Sequence, residues 1–491
     1  MYNDSHKYGK YVSANQESRW ASEEEVQASG VCVDLSKESY PGAGLPLLSN
    51  GKTACMDNTD THSLIFGATG SKKTRLFCMP MINFFTRAGE SFVVTDPKGE
   101  LYARTSGMAK ANGYNVVVLN FRDIGRGAMW NPLSLPLEYY RNGQKDVAIS
   151  MLNDFVATIS APQRSSTKDV FWVEMAASYA LANLLVLMEA AEPEEVNVAS
   201  LARLCSEENE AALKVLVEKM RPESLASINF QGVLSGADNT RRSVYVTLFG
   251  MLRIFNAQEN LTRMLSGNTM DMRRIGREKT AVYVIVPDEK TTYHFLVTSF
   301  IKQTYEMLID QAQKEERFTL PVRVNFVLDE FCNIPAIPDM ASMISAARSR
   351  NMRFYLVAQS LHQLRGKYGE DADTIKGNCE NWVFLTSKEL ALLNEISELC
   401  GNVITAGNNR RPLISVSELQ RLDKEKGEAL IIHGRLYPFI AEMADIDSYE
   451  MFKGYPACPM EPFDIPEAKV FSAEMYTVDA LKGRKPWPFS K

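Results

Sequence analysis

The sequence predicts an α/β protein with a mainly parallel sheet and an inserted all-α domain. Three observations predict it. Short apolar runs rich in valine and isoleucine recur from about residue 45 onward, as strands covered on both faces require. Helical patterns separate many of these runs, which gives a doubly wound alternation. Between about 140 and 275 the alternation stops: helix formers dominate and no strand pattern stands out.

Taken in order, residues 1–40 are polar and weakly patterned. They hold one helix start, with Ser22 as N-cap and Glu25 three residues later. Strands are predicted at 64–66, 92–95, 116–119, 282–286, 324–328, 354–357, 382–385 and 429–432, and helices at 292–309 and 390–400 among others. Within the insertion, helices are expected at 170–185, 199–204, 211–220 and 242–255, with Trp172 and its aromatic neighbours in the insertion's core. The tail from Tyr455 carries several prolines, ends Lys485-Pro486-Trp487-Pro488-Phe489, and is expected to be extended. These breaks divide the chain into an N-terminal extension (1–44), a first nucleotide-binding part (45–139), the all-α insertion (140–275), a second nucleotide-binding part (276–454) and a C-terminal tail (455–491).

The chemistry starts where the first strand of the alternation ends. His62-Ser63-Leu64-Ile65-Phe66 runs into Gly67-Ala68-Thr69-Gly70-Ser71-Lys72-Lys73-Thr74. The pattern for a phosphate-binding loop is G-x-x-x-x-G-K-[ST]. Gly67, Lys73 and Thr74 match it, and Lys72 stands where the second glycine belongs. Backbone N–H groups of residues 67–74 and the following helix N-terminus would cradle the phosphates of ATP. Lys73 would reach the β- and γ-phosphates and Thr74 would ligate Mg²⁺. Lys72 must adopt a conformation that costs a residue with a Cβ about 1–2 kcal/mol. Three outcomes are open: a strained but working loop, a site that binds and hydrolyses slowly, and a loop that no longer binds nucleotide.

A second motif favours the functional readings. The apolar run Val324-Asn325-Phe326-Val327-Leu328 ends in Asp329-Glu330. In P-loop ATPases a strand-end aspartate holds the metal through water, and an adjacent carboxylate orients or deprotonates the attacking water. Asp329 takes the first role and Glu330 the second; the plain alternative is a buried strand ending on a solvated acidic pair. Both phosphate motifs and all predicted strands lie outside the insertion, which is therefore free to specialise in recognition.

Composition bounds the rest. At 491 residues, 45% hydrophobic and 23% charged, the chain is globular and long enough for two or three domains. A net charge of −6 excludes an overall basic coat but not a locally positive face. Eight scattered cysteines with no C-x-x-C pair read as reduced, mostly buried thiols and no zinc site. No apolar run reaches about 18 residues, and 179–188 is read as a buried helix rather than a membrane span. The polar start shows no signal peptide.

The ordered motifs resemble a family. They are the phosphate loop, Asp96-Pro97-Lys98-Gly99-Glu100-Leu101, Asn131-Pro132-Leu133, Phe171-Trp172, Asp329-Glu330, Ala358-Gln359-Ser360 with Gln363-Leu364, Tyr368-Gly369 and Ser417-Glu418-Leu419. Together they resemble the type IV coupling proteins, the TraG/TraD-type ATPases of conjugation and type IV secretion. The resemblance implies a RecA-like P-loop ATPase domain with an inserted all-α domain, ATP and Mg²⁺ as cofactors, and a homo-hexamer when active that can be a monomer in isolation. It implies docking of a relaxase or relaxosome with single-stranded DNA, and delivery to type IV secretion channel components. It adds Gln359 as a γ-phosphate sensor, with a strand-end amide capping backbone as the alternative. It also adds Arg350 as an arginine finger toward a neighbouring subunit, with Arg348 the competitor and a solvated basic helix end the plain reading. Asp96 and Lys98 lie near the site without a firm role, a turn-stabilising Asp-Pro being the alternative. Two departures stand out: Lys72, and the lack of the N-terminal membrane helices that many members carry. The expected place is the bacterial cytoplasm at the inner membrane, either for a member tethered through a membrane-anchored partner or for a chain separated from its own anchor. Its function would be an ATP-driven coupling protein, the alternative being a nucleotide-binding docking platform with weak or no hydrolysis.

Overall fold

The structure is a computed structural model that describes residues 17–404, 409–462 and 467–488. The chain forms two compact units. The first comprises Met1–Val117, Met272–Glu289 and Tyr305–Pro459; the second comprises Val118–Asp271, Lys290–Thr304 and Met460–Lys491.

The first unit opens with helix Glu23–Ala28, capped reciprocally by Ser22 and Glu25. A three-stranded antiparallel sheet follows, β1 (Val31–Asp34), β2 (Leu45–Ser49) and β3 (Thr53–Asp57), in the order β1-β3-β2. The strands of the main sheet come next: β4 (Ser63–Phe66), β5 (Ser91–Asp96), β6 (Asn115–Asn120), β7 (Thr280–Ile285), β8 (Val324–Leu328), β9 (Met352–Ala358) and β10 (Asn381–Phe384). A short hairpin, β11 (Asn402–Ile404) and β12 (Arg410–Pro412), precedes β13 (Glu428–His433) and β14 (Phe439–Glu442). The nine-stranded order is β14-β13-β10-β4-β9-β8-β5-β7-β6. From β10 to β7 neighbours run parallel, while β13 and β14 close one edge antiparallel. Strands β4, β5, β7, β8 and β9 are buried along their whole length, which is why they read as unbroken apolar runs. Register aligns Phe66 with Ala358, and Leu328 with Leu356, so the carboxyl ends of β4, β8 and β9 share one edge.

One polar group is locked inside this core. The Arg353 guanidinium, 1% exposed, pairs with Glu90 and donates to Asn325 Oδ1 (2.8 Å) and Ala43 O (2.8 Å). A charge so deeply buried persists only when paired and fully hydrogen-bonded.

The second unit is helical, with helices Lys145–Ser166, Phe171–Ala190, Val198–Leu204, Glu210–Lys219, Leu225–Leu234, Asp238–Ala257 and Glu259–Met264. Tyr179 is at its centre, edge-on to Phe230 and Tyr245.

Three expectations need correction. Phe171 is 52% exposed and packs only edge-on to a half-buried Trp172. The pair occupies the first turn of its helix, ahead of the buried stretch, so Tyr179 rather than Trp172 anchors the core. The expected thiols are not all reduced: Cys32 and Cys55 form a disulfide, because β1 and β3 place them directly opposite each other with Cα atoms 3.9 Å apart. Of the other six, five are buried and Cys458 is partly exposed. The tail is not wholly extended, since Ser472 caps a helix over Ala473–Leu481; Phe489 lies outside the described residues. The expected buried helix over 179–188 is present: helix Phe171–Ala190 is long and apolar enough to cross a membrane by length and composition, and 67% of its most apolar window is buried within the protein.

Candidate nucleotide site

The site assembles at the carboxyl edge of β4, β8 and β9. The loop leaving β4 is pinned by its backbone: Gly67 N–H donates to Ala358 O (3.2 Å) and Ala68 N–H to Thr386 O (2.9 Å). A Cβ at Gly67 would crowd the Ser71 hydroxyl (2.4 Å) and the Lys73 stem (3.0 Å), so a side chain there would have to displace both. Gly70 and Lys72 both have positive φ, +79° and +66°. The sequence-level expectation about Lys72 thus becomes geometry: the residue in the glycine position takes the glycine conformation. Its ammonium reaches Glu425 Oε2 at 2.8 Å, on the turn before β13. After the loop the chain makes a π-helical turn, Thr74–Cys78, a widened turn common at functional sites. Arg75 in that turn binds Asp445 and Asp447.

Lys73 is buried and folded back on its own loop, donating to the Gly67 and Ala68 carbonyls. Thr74 Oγ1 donates to Asp329 Oδ2 at 3.1 Å. Asp329 directly follows β8; its other oxygen accepts from Glu330 N–H (3.0 Å), and Thr95 Oγ1 donates to its carbonyl (2.8 Å). Burial, then the neighbouring Glu330 charge, raises the Asp329 carboxyl to about 6, opposed by Lys73 and Thr74. Glu330 has a φ of +53°, a strained backbone of the kind that collects at active sites. Gln359, one residue past β9, closes the arrangement: its Nε2 donates to Glu330 Oε2 (2.8 Å) and its Oε1 accepts from Thr69 Oγ1 (3.4 Å).

The residues fit a magnesium–nucleotide. Ser71 Oγ is buried without a hydrogen-bond partner, a donor left over in the loop. Among the described residues there is no cluster of three or more His, Cys, Asp or Glu able to cage a metal. One carboxylate and one hydroxyl, Asp329 and Thr74, are instead what Mg²⁺ uses when phosphates and water complete its shell.

Residues 67–74, Asp329, Glu330 and Gln359 are therefore brought together. Arg350 is not. It ends the turn Arg348–Arg350 ahead of β9, at the opposite edge of the sheet, and donates to Ser349 Oγ (2.6 Å), while Arg348 pairs with Glu380 (2.6 Å). Asp96 is fully buried and accepts from Tyr102 N–H (2.8 Å), capping helix Glu100–Ala111, which is the turn-stabilising reading; Lys98 is exposed. The sequence reading missed Glu425 and the Asp445–Asp447 pair. Nothing local marks them, since they meet Lys72 and Arg75 across more than 350 residues of chain.

Comparisons with known proteins follow this geometry. A conjugal transfer protein TraG of Escherichia coli is 23% identical over 470 residues, covering 84% of this chain and 72% of that protein. The type 4 coupling protein DotL of Legionella pneumophila is 32% identical over 142 residues, 27% of this chain and 17% of its own. Among solved structures, the plasmid coupling protein TrwB with the GTP analogue GDPNP superposes with a TM-score of 0.63 at 12% identity, covering 90% of this chain and 95% of that one. TrwB with the ATP analogue ADPNP gives 0.61 at 14% identity, over 91% and 98%. The fold is thus TrwB-like, a RecA-like P-loop unit with an all-α unit. The family model for type IV secretory system conjugative DNA transfer matches residues 16–432, and the chain belongs to that family.

Proposed function

We propose that this chain is an ATP-driven coupling protein, which recruits relaxase-bound single-stranded DNA or protein cargo to a type IV secretion channel and helps move it. The observation that carries the reading is the continuous chain Thr74–Asp329–Glu330–Gln359–Thr69, which ties the phosphate loop to the carboxylate pair. Lys73 would turn from its own carbonyls to the β- and γ-phosphates. Thr74 and Asp329 would hold Mg²⁺, which would supply charge neutralisation on the phosphates. Glu330 takes the proton of the attacking water, and Gln359, bonded to it, registers whether the γ-phosphate is present. Arg350 serves a neighbouring subunit's nucleotide in a hexamer, since it cannot serve its own. The helical unit docks the cargo: it contains a cleft of about 980 Å³ whose wall exposes Val246 (73%) and Phe249 (61%). The protein works on the cytoplasmic side of the inner membrane, held there through a membrane-anchored partner.

The second reading, a docking platform with weak or no hydrolysis, is favoured by the strained Lys72. DNA-stimulated ATP turnover by the purified chain separates the two. The proposal requires phosphate release that rises with single-stranded DNA and is abolished by Lys73→Ala, because the phosphate charge then loses its counter-ion in a preorganised site. Nucleotide binding with no turnover under any DNA condition leaves the platform.

A further inference from the structure

A second concave site lies at the opposite edge of the sheet from the phosphate loop. Its residues come from the end of helix Glu100–Ala111, the start of β6, the approach to β7 and Val322 just before β8. The cavity measures about 560 Å³. Four cations line it, Lys110, Arg274, Arg277 and Lys279, against a single carboxylate, Glu278. In a chain of net charge −6 this local excess of positive charge is unusual.

The single carboxylate is already taken. Arg274 donates to one Glu278 oxygen through Nε (3.0 Å) and Nη2 (2.7 Å). Lys279 is fixed in place, with Nζ donating to Asn112 O at 3.0 Å and sitting 5.7 Å from the Tyr114 ring centroid. Arg277 lies beside the Gln311 amide and 4.0 Å from Glu315, and its side chain is 54% exposed. Lys110 has no ion-pair partner among the described residues. The backbone beneath is rigid: Asn115 N–H donates to Lys279 O (2.9 Å) and Arg277 N–H to Arg274 O (3.1 Å). Lys110 and Lys279 therefore offer positive charge without a carboxylate of their own, beside an Arg277 that is only loosely paired with Glu315.

We propose that this cavity binds a single phosphate group, carried by a phospholipid headgroup or by a free phosphate compound. Guanidinium and ammonium groups lining one cavity match a multi-oxygen anion. A nucleic-acid strand is disfavoured for two reasons. The cations surround one cavity rather than a track, and the Tyr114 ring, 3% exposed, offers no face to a base. The site is separate from the nucleotide: β8 alone puts about 17 Å of strand between Val322 and Asp329.

The test uses the full chain carrying Lys73→Ala, so that the phosphate loop does not contribute. It is compared with the same protein bearing Lys110→Ala and Arg277→Ala, surface changes whose unfolding curve checks the fold. Inorganic phosphate is titrated by calorimetry. Vesicles of phosphatidylcholine, with and without phosphatidylglycerol, are assayed by co-sedimentation. The expected result is phosphate binding weakened at least tenfold by the two substitutions, or capture by anionic vesicles that they abolish. The first outcome without the second assigns a free phosphate compound, and the second assigns a lipid. Equal binding by both proteins, or none by either, overturns the proposal. So does a pair of proteins that differ only in capturing a single-stranded oligonucleotide.

Discussion

Replacing Lys72 with glycine tests whether the phosphate loop is a working part. The backbone at this position is left-handed, φ +66°. A side chain there costs about 1–2 kcal/mol, which glycine removes. Glycine also frees the unfolded chain, which costs about 0.5–1 kcal/mol. The ion pair to Glu425 is lost, but that carboxylate is 70% exposed and its interaction is screened. The balance favours the variant slightly, by no more than about 1 kcal/mol. If the relieved strain is expressed when the loop closes on phosphate, turnover rises by up to about fivefold. The assay is initial rate against ATP concentration at low and moderate salt, with Lys72→Ala alongside, which loses the ion pair but keeps the strain. A rate gain for glycine and none for alanine is the expected outcome. A fall in nucleotide affinity that deepens at low salt would refute the reasoning, because Lys72 would then be a second phosphate cation rather than a strained tolerance. No change in either quantity would remove strain from the account and weaken the docking-platform reading with it.

Three further outcomes follow from the same geometry. Glu330→Gln should leave nucleotide affinity within about threefold and slow turnover by two orders of magnitude or more, since the Thr74–Asp329 pair survives and the water loses its base; collapsed affinity with normal turnover per bound ATP would contradict the assignment. Glu90→Gln should destabilise the first unit by about 3–5 kcal/mol in urea, because Arg353 keeps its burial and loses its counter-charge; a loss under about 1 kcal/mol would show that the ion pair does not matter. His62 accepts from Phe354 N–H and donates to Ile344 O, and burial lowers its pKa from 6.5 to about 4. The unfolded chain protonates first as pH falls, so this residue's contribution is complete above about 6.5 and is lost progressively toward 4. The loss is about 3 kcal/mol. The buried carboxyls of Asp96 and Asp329, raised to about 6, act in the opposite sense over nearly the same range. The His62 term is therefore read as the difference between wild type and His62→Gln across pH 4–7, and a difference that does not vary with pH would refute it.

The sequence discloses the parts of this structure that repeat a local rule. All eight predicted strands of the main sheet are present, because a strand buried on both faces must be apolar throughout. β14 was missed because it is four residues long, half-exposed and preceded by Pro438. β1 to β3 were missed because they form a small sheet of mixed composition whose register shifts between Pro46 and Leu48. In the site, Asp329 and Glu330 follow the end of β8 and Lys73 and Thr74 close the loop that leaves β4, with chemistry that names itself, while Gln359, one residue past β9, came from the family resemblance. The conformation of Lys72 was equally legible, since one position of the loop demands a left-handed residue. Its partner Glu425 was not, and neither was the Cys32–Cys55 pair. Both depend on which distant segments the sheets bring side by side, and no spacing in the sequence encodes that.

Strand β9 has a mechanical consequence. It carries Gln359 just past one end and the Arg348–Arg350 turn just before the other, and between them run seven fully buried residues hydrogen-bonded to β4 and β8. At about 3.3 Å per residue this is a stiff rod roughly 23 Å long. Any displacement of Gln359 along the strand axis must either carry the arginine turn with it or break ladder bonds in the middle of the sheet. On the proposed reading, in which Gln359 senses the nucleotide and Arg350 serves a neighbouring subunit, the two ends of β9 would move as one, and subunits would share a phase rather than exchange a signal.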